Sequence, residues 1–119
     1  MTSQPLDNYL LACRKGAGLS QDEVAFLLGG RSGTKVARYE RRIRVPLLDT
    51  ALAYEAVFRT PVRGLFAGRS RHVERKVGRR AKVLLRKVER GKYDRLTGRK
   101  LEMLRAIASA APTRSVRRL

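Results

Sequence analysis

The sequence predicts an all-α protein, and three observations carry that expectation. Apolar residues in the first half recur at steps of three and four within short segments interrupted by glycine or proline. One segment opens on Ser20-Gln-Asp-Glu23, a capping box in which the Ser20 hydroxyl can accept from the Glu23 amide while the Glu23 carboxylate reaches back. In the second half, Val73, Val77, Ala81, Leu84 and Val88 recur at helical steps. Arg71, Arg75, Arg79, Lys82, Arg86 and Arg90 follow the same rhythm two residues out of phase. Two residues are about 200° around a helix, so the stripes lie on opposite faces.

Taken in order, the first half reads as five short helices. Leu6, Leu10, Leu11 and Cys13 give the first an apolar face, and the Gly16–Gly18 pair ends it. The second starts at the capping box, whose acids also suit the positive end of the helix dipole. Its buried face is Val24, Ala25, Leu27 and Leu28, and Gly29-Gly30 stops it. The third is expected to take Ser32 as N-cap, with Val36 and Tyr39 inward and Glu40 near its end. Pro46 marks the approach to a fourth helix carrying Leu48, Ala51, Leu52, Ala56 and Val57. Thr60-Pro61 starts the fifth, a capping hydroxyl followed by proline at the first helical position, and Val62, Leu65 and Phe66 close it.

Ala67-Gly68 then reads as a joint. The long basic helix from Ser70 ends at Gly91, a C-cap glycine, and Tyr93 to Thr97 is a linker. Leu101, Leu104 and Ala108 mark a last helix before Pro112. The expected organisation is a helical domain over residues 1–68, a basic amphipathic helical extension over 69–111 and a disordered basic tail over 112–119.

Charge separates the halves further. The chain carries 28 Lys and Arg against 10 Asp and Glu, a net charge of +18. Residues 1–68 hold 10 basic and 6 acidic side chains, whereas residues 69–119 hold 18 and 4. An excess of this size repels itself unless a polyanion neutralises it, and nucleic acid is the commonest polyanion in a cytosol. No apolar run approaches the ~18–20 residues of a membrane span, and the start MTSQPLDNYL lacks the basic-then-apolar pattern of a secretory signal. A cytoplasmic, nucleoid-associated chain is the expectation, and the single Cys13 agrees with a reducing compartment.

Two helices joined by a tight glycine-containing turn are the parts of a helix-turn-helix. The second helix of such a pair must offer a narrow, hydrogen-bonding face to the major groove. With Val36 and Tyr39 turned in, Gly33, Thr34, Lys35 and Arg38 are left to face out. Gly33 and Thr34 are small enough for close approach, and Arg38 can reach a guanine edge or a phosphate.

The chain here resembles the lambda-repressor-like, or XRE-type, helix-turn-helix family. The matching residues are Gly18-Leu-Ser-Gln-Asp-Glu-Val-Ala25, Leu28-Gly29, Val36-Ala-Arg-Tyr-Glu40 and Arg44-Val-Pro46, and the resemblance covers about residues 6–66. It implies a five-helix DNA-binding domain, here with a basic C-terminal helical extension. It also implies that Gln21 bonds a phosphate and buttresses the recognition helix. Base contacts would come from Ser32, Gly33, Thr34 and Arg38, with Lys35 beside them, and Arg41, Arg42 and Arg44 would follow the phosphate backbone. Glu40 matches a position of structural use, with Arg14 as its candidate partner. Two departures stand out: Arg42 occupies a place where the family often has glycine, and Gly29, Gly30 and Arg31 make the turn one residue longer than its commonest form.

No catalytic set accompanies these features. Cys13 reads as a small core filler and His72 as an exposed imidazole. The glycine pairs are helix stops, because no Lys-Ser/Thr follows them. No enzymatic activity, metal, cofactor or small-molecule ligand is therefore expected. The expected function is a sequence-specific regulator of double-stranded DNA, a repressor acting by occupancy. The apolar stripe of the long helix must be covered by the first domain, by the last helix or by a second chain, and a homodimer is expected. Three other readings use the same features: an antitoxin that binds a toxin and its own promoter, a bridging factor with its basic arm on RNA, and a membrane-surface protein.

Overall fold

Helix boundaries in this chain fall where left-handed residues and side-chain caps leave them. The computed structural model describes residues 4–110, so the expectations for Pro112 and the 112–119 tail lie outside the described residues. Seven helices and no strand occur among those residues: α1 (Leu10–Ala17), α2 (Gln21–Leu27), α3 (Thr34–Glu40), α4 (Leu48–Phe58), α5 (Val62–Leu65), α6 (Ala67–Arg90) and α7 (Thr97–Ser109). The chain divides into two compact units inside α6, the first ending at Arg69 and the second beginning at Ser70. No helix is long and apolar enough to cross a membrane among the described residues.

Helices α1, α2 and α3 of the first unit close in the same way. A residue with positive φ follows each, Gly18 at 72°, Gly29 at 86° and Arg42 at 64°. Amides then fold back onto the last turn, with Leu19 N–H donating to the Arg14 carbonyl at 3.1 Å, Gly30 to Ala25 at 2.8 Å and Ile43 to Arg38 at 3.0 Å. Such closures satisfy carbonyls that a helix end would otherwise leave bare, and glycine is the usual left-handed residue. The third closure is made with arginine, so the place where glycine is often expected keeps its backbone form without it. The capping box at the start of α2 forms as read, Glu23 N–H donating to Ser20 Oγ at 3.0 Å and Ser20 N–H to Glu23 Oε1 at 2.8 Å.

The core of this unit joins all five of its helices. Leu10 and Cys13 of α1, Val24 and Ala25 of α2, Val36 and Tyr39 of α3, Ala51, Tyr54 and Phe58 of α4, and Leu65 of α5 are buried in one cluster that Phe66 completes. Tyr54 is its centre: its ring meets Tyr39 edge-on at 6.1 Å and stacks on Phe58 at 5.9 Å. Burial pushes the Tyr54 phenol well above its ordinary pKa, with the nearby Glu40 charge acting in the same direction.

Several sequence expectations shift by a few residues. Leu6 precedes α1 and is exposed, as are Leu11 and Leu27. The third helix takes Gly33 rather than Ser32 as its N-cap. On α4 the inward stripe is Ala51, Tyr54 and Phe58, while Leu48 is 70% and Leu52 49% exposed. The aromatic residues win the core side because they bury more area than the aliphatic pair. Pro61 is the N-cap of α5, not its first residue, and the Thr60 hydroxyl donates to the Phe58 carbonyl instead of capping. The Glu55 carboxylate takes over that role by accepting from Val62 N–H at 2.7 Å. Nor is Ala67-Gly68 a joint, since α6 runs through it. Gly68 is required by close approach: a Cβ there would lie 2.7 Å from the carbonyl oxygens of Pro5 and Leu6.

In the second unit, α7 lies beside α6. The Ile107 carbonyl is near Gly78, and Arg105 pairs with Glu89 at 3.6 Å. Ala81, Leu101 and Leu104 are buried, but Val73, Val77 and Leu84 of the expected stripe stay about half exposed. The 13 residues of α7 are too few to cover the 24 of α6. At the start of α7, Asp94 Oδ1 accepts from Leu96 N–H, Thr97 N–H and the Thr97 hydroxyl, at 2.8, 3.1 and 3.1 Å. The Leu96 amide, then the Thr97 side chain, hold the Asp94 carboxyl below its ordinary pKa.

Two outcomes follow from these ends. Arg59, the left-handed C-cap of α4 at φ 52°, should stabilise the protein by about 1 kcal/mol when changed to glycine. Urea denaturation measures it, and a loss of stability would mean the turn is not left-handed in solution. Because the folded Asp94 pKa is depressed, its contribution is complete above the unfolded value and fades as pH falls through the folded one. Protection of the Leu96 and Thr97 amides against exchange, taken relative to their intrinsic rates, should fall selectively on acidification below about pH 4, and Asp94→Asn should abolish that pH dependence.

Candidate nucleic-acid interface

The side chains singled out in the sequence are carried by α3, by the turn before it and by the segment after it. Inward, α3 buries Val36 and Tyr39 against the core. Its remaining inward residue is Glu40, whose side chain is only 4% exposed. Three donors surround that carboxylate: Arg14 Nε at 2.6 Å and a terminal guanidinium nitrogen at 3.1 Å, and Gln21 Nε2 at 3.1 Å. Arg14 also donates to the Leu19 carbonyl at 3.0 Å, and its hydrogen bond to Glu40 holds its pKa above the ordinary arginine value against the opposing effect of burial. The expected partnership of Arg14 and Glu40 is thus present, and it spans α1, α2 and α3.

Gln21 is consequently occupied. Its amide N–H braces Glu40, which agrees with a buttressing role, and it also lines an open depression with Ser32, Thr34, Arg38 and Arg41. Thr34, Arg38 and Arg41 follow one another at helical spacing and are exposed on one face. Ser32 sits beside them, its hydroxyl 3.3 Å from that of Thr34. Lys35 is exposed too, but it borders a neighbouring depression with Gly29, Gly30, Arg31 and Thr50. Arg42 and Arg44 are exposed on the segment leaving α3.

Gly33 has a packing role that the sequence reading did not include. It is buried, and a Cβ on it would stand 2.7 Å from Gln21 Cβ and 2.9 Å from the Gln21 carbonyl carbon. Its N–H donates to Asp22 Oδ1 at 2.7 Å. Gly33 therefore lets α3 approach α2, so its smallness serves the protein's own packing, and it also lines the depression shared by Ser32, Thr34, Arg38 and Arg41. Asp22, which helix capping alone seemed to explain, is the acceptor that ties the two helices. The signal was available in the sequence only as an acid in a first turn, a pattern that capping already accounts for.

The electrostatic result is one-sided. Between Thr34 and Arg44 the chain has five basic side chains and one acid, Glu40. The acid is turned inward and paired, while Lys35, Arg38, Arg41, Arg42 and Arg44 make no ion pair among the described residues. An apolar run, Ile43, Val45, Leu47 and Leu48, alternates with or follows these cations, each at least half exposed. Sequence periodicity missed it because the segment is not helical until Leu48. Among the described residues no cluster of three or more His, Cys, Asp or Glu is placed to hold a metal.

Compared with known proteins, the chain matches no family model, no curated protein and no solved structure.

Two substitutions test how this surface is built. Glu40→Ala would leave the Arg14 guanidinium without its carboxylate and should cost about 3 kcal/mol; a loss below about 1 kcal/mol would class the pair with exposed ones. Gly33→Ala should cost about 2 kcal/mol by forcing α2 and α3 apart. Urea denaturation monitored by circular dichroism reads both.

Proposed function

We propose that this protein binds double-stranded DNA through α3 as a sequence-specific transcriptional regulator, most simply a repressor acting by occupancy. The observation that carries the reading is the outward face of α3 and its following segment, which exposes cations while its single acid is buried against Arg14 and Gln21. α2 and α3, joined by the turn at residues 28–33 and locked by the Asp22–Gly33 bond, have the form of a helix-turn-helix. That arrangement supports the lambda-repressor-like, five-helix architecture for the first unit, and its likeness to that family is part of the proposal.

In this mechanism Thr34, Arg38 and Ser32 meet base edges, and Arg38 is the side chain with the reach and two-pronged geometry for guanine. Arg41, Arg42 and Arg44 set register on phosphates. Lys35, on the adjoining depression, approaches the backbone of the same groove. The exposed stripe Arg75, Arg79, Lys82, Arg86 and Arg90 of α6 adds a grip on phosphates that carries no sequence information. Two copies pairing on a symmetric site complete the reading, and the exposed run Ile43, Val45, Leu47 and Leu48 is one apolar stretch of the first unit that such pairing can cover.

A salt-series binding assay with random genomic duplex fragments tests this. Wild type should retain a subset of fragments at moderate salt, and Arg38→Ala should lose that selection while still binding weakly. Replacing Arg79, Lys82 and Arg86 together by glutamine should leave the selected subset unchanged and flatten the log–log salt slope by about 2 to 3. Uniform binding of all fragments by wild type, unchanged by Arg38→Ala, would rule out sequence-specific regulation. A marked preference for RNA over duplex would favour a bridging factor instead.

A further inference from the structure

α6 has a basic face and an apolar one, and the proposed grip on phosphates uses only the first. On the other, Val77, Ala81 and Leu84 form a groove with Leu104 and Ile107 of α7. Ala81 and Leu104 are its buried floor, while Val77 and Leu84 are 48% and 47% exposed along its open side. Arg80 and Lys87 stand on its rim, and no acidic residue lines it. From Val77 to Lys87 the groove runs about 15 Å along the helix axis, the length of roughly three helical turns.

We propose that this groove docks an acidic amphipathic helix of a different protein. The apolar floor has the spacing that accepts side chains at i, i+3, i+4 and i+7 of a partner helix. Charge decides which helix. Arg80 and Lys87 make no ion pair among the described residues. Glu89 is already paired with Arg105, and Asp94 is spent on the first turn of α7. A second copy of this chain is the wrong occupant, because a two-fold contact sets each patch against itself. Arg80 and Lys87 would then face the same cations, in a unit whose residues 70–110 carry 14 basic and 4 acidic side chains. An acidic partner reverses the sign of every rim contact, which is how charged rims select partners and suppress wrong ones. The groove itself is lined by none of Arg75, Arg79, Lys82, Arg86 and Arg90, although Val77 and Ile107 also border a depression with Arg75, Arg79 and Lys82, so the inference rests on the groove's own lining and not on DNA binding.

The test uses the full chain and three labelled synthetic peptides of about 14 residues. One places Leu at i, i+3, i+4 and i+7 with Glu elsewhere; one replaces each Glu by Lys; one shuffles the acidic peptide so that the apolar periodicity is lost. Fluorescence anisotropy should show saturable one-to-one binding of the acidic amphipathic peptide only. Leu84→Asp, at a half-exposed site, and the double change Arg80→Glu with Lys87→Glu should each weaken it by about tenfold or more. Circular dichroism checks that both variants remain helical. Equal binding of the shuffled peptide, or equal displacement by a short DNA duplex, would overturn the proposal in favour of a general polyanion surface. Sedimentation showing a wild-type dimer that Leu84→Asp dissociates would overturn it in favour of a second copy. Binding unaffected by both variants, or none at millimolar peptide, would overturn it outright.

Discussion

The buried carboxylate of Glu40 is the constraint on which the first unit depends. It sits at the end of α3 and accepts from Arg14 of α1 and Gln21 of α2, so one anion fixes three helices at once. A carboxylate this enclosed is costly unless all its acceptor directions are met, and a planar guanidinium meets two of them together. The pairing also has an electrostatic consequence outside the core. With Glu40 turned in, nothing on α3 offsets Lys35, Arg38 and Arg41, and the outward face is positive along its length. The same interaction that packs the helix thus sets the sign of its surface.

A second constraint is the closeness of α2 and α3. Gly33 permits it sterically and Asp22 fixes it with a 2.7 Å bond to the Gly33 amide. This bond holds the backbone at the start of α3, the helix that carries Thr34 and Arg38, against α2. The left-handed closures at Gly18, Gly29 and Arg42 do the same for helix lengths: each helix stops abruptly and lets the chain turn within a few residues. Short helices with such stops can bury one face each in a core as small as this one.

The second unit is built on a different balance. One long helix and one short helix share a thin core, and much of the apolar side of α6 stays open. At the start of α7 the hydrogen bonds between Asp94, Leu96 and Thr97 add local order to this thin core. This unit is strongly basic, and its exposed arginine stripe and the rim of its apolar groove both carry cations.

Elements whose signals are local were legible in the sequence: the capping box at Ser20, the glycine stops at Gly18 and Gly29, the long amphipathic α6, and the inward pair Val36 and Tyr39. The Arg14–Glu40 pair was legible only through resemblance, since no spacing rule joins residues 26 apart. Where two stripes on one helix were both apolar, periodicity could not choose, and α4 turned Tyr54 and Phe58 inward instead of Leu48 and Leu52. The packing role of Gly33 was hidden because smallness looks the same whether a neighbour is a base or another helix. By itself, then, the sequence determined the helical class, the charge and the approximate helix ends, because these follow from propensity, capping and composition within a few residues. Tertiary structure alone decided which face of each helix is buried, that Gly33 belongs to the interior and that a basic-rimmed groove stays open beside α7, because each depends on what a distant segment brings against it.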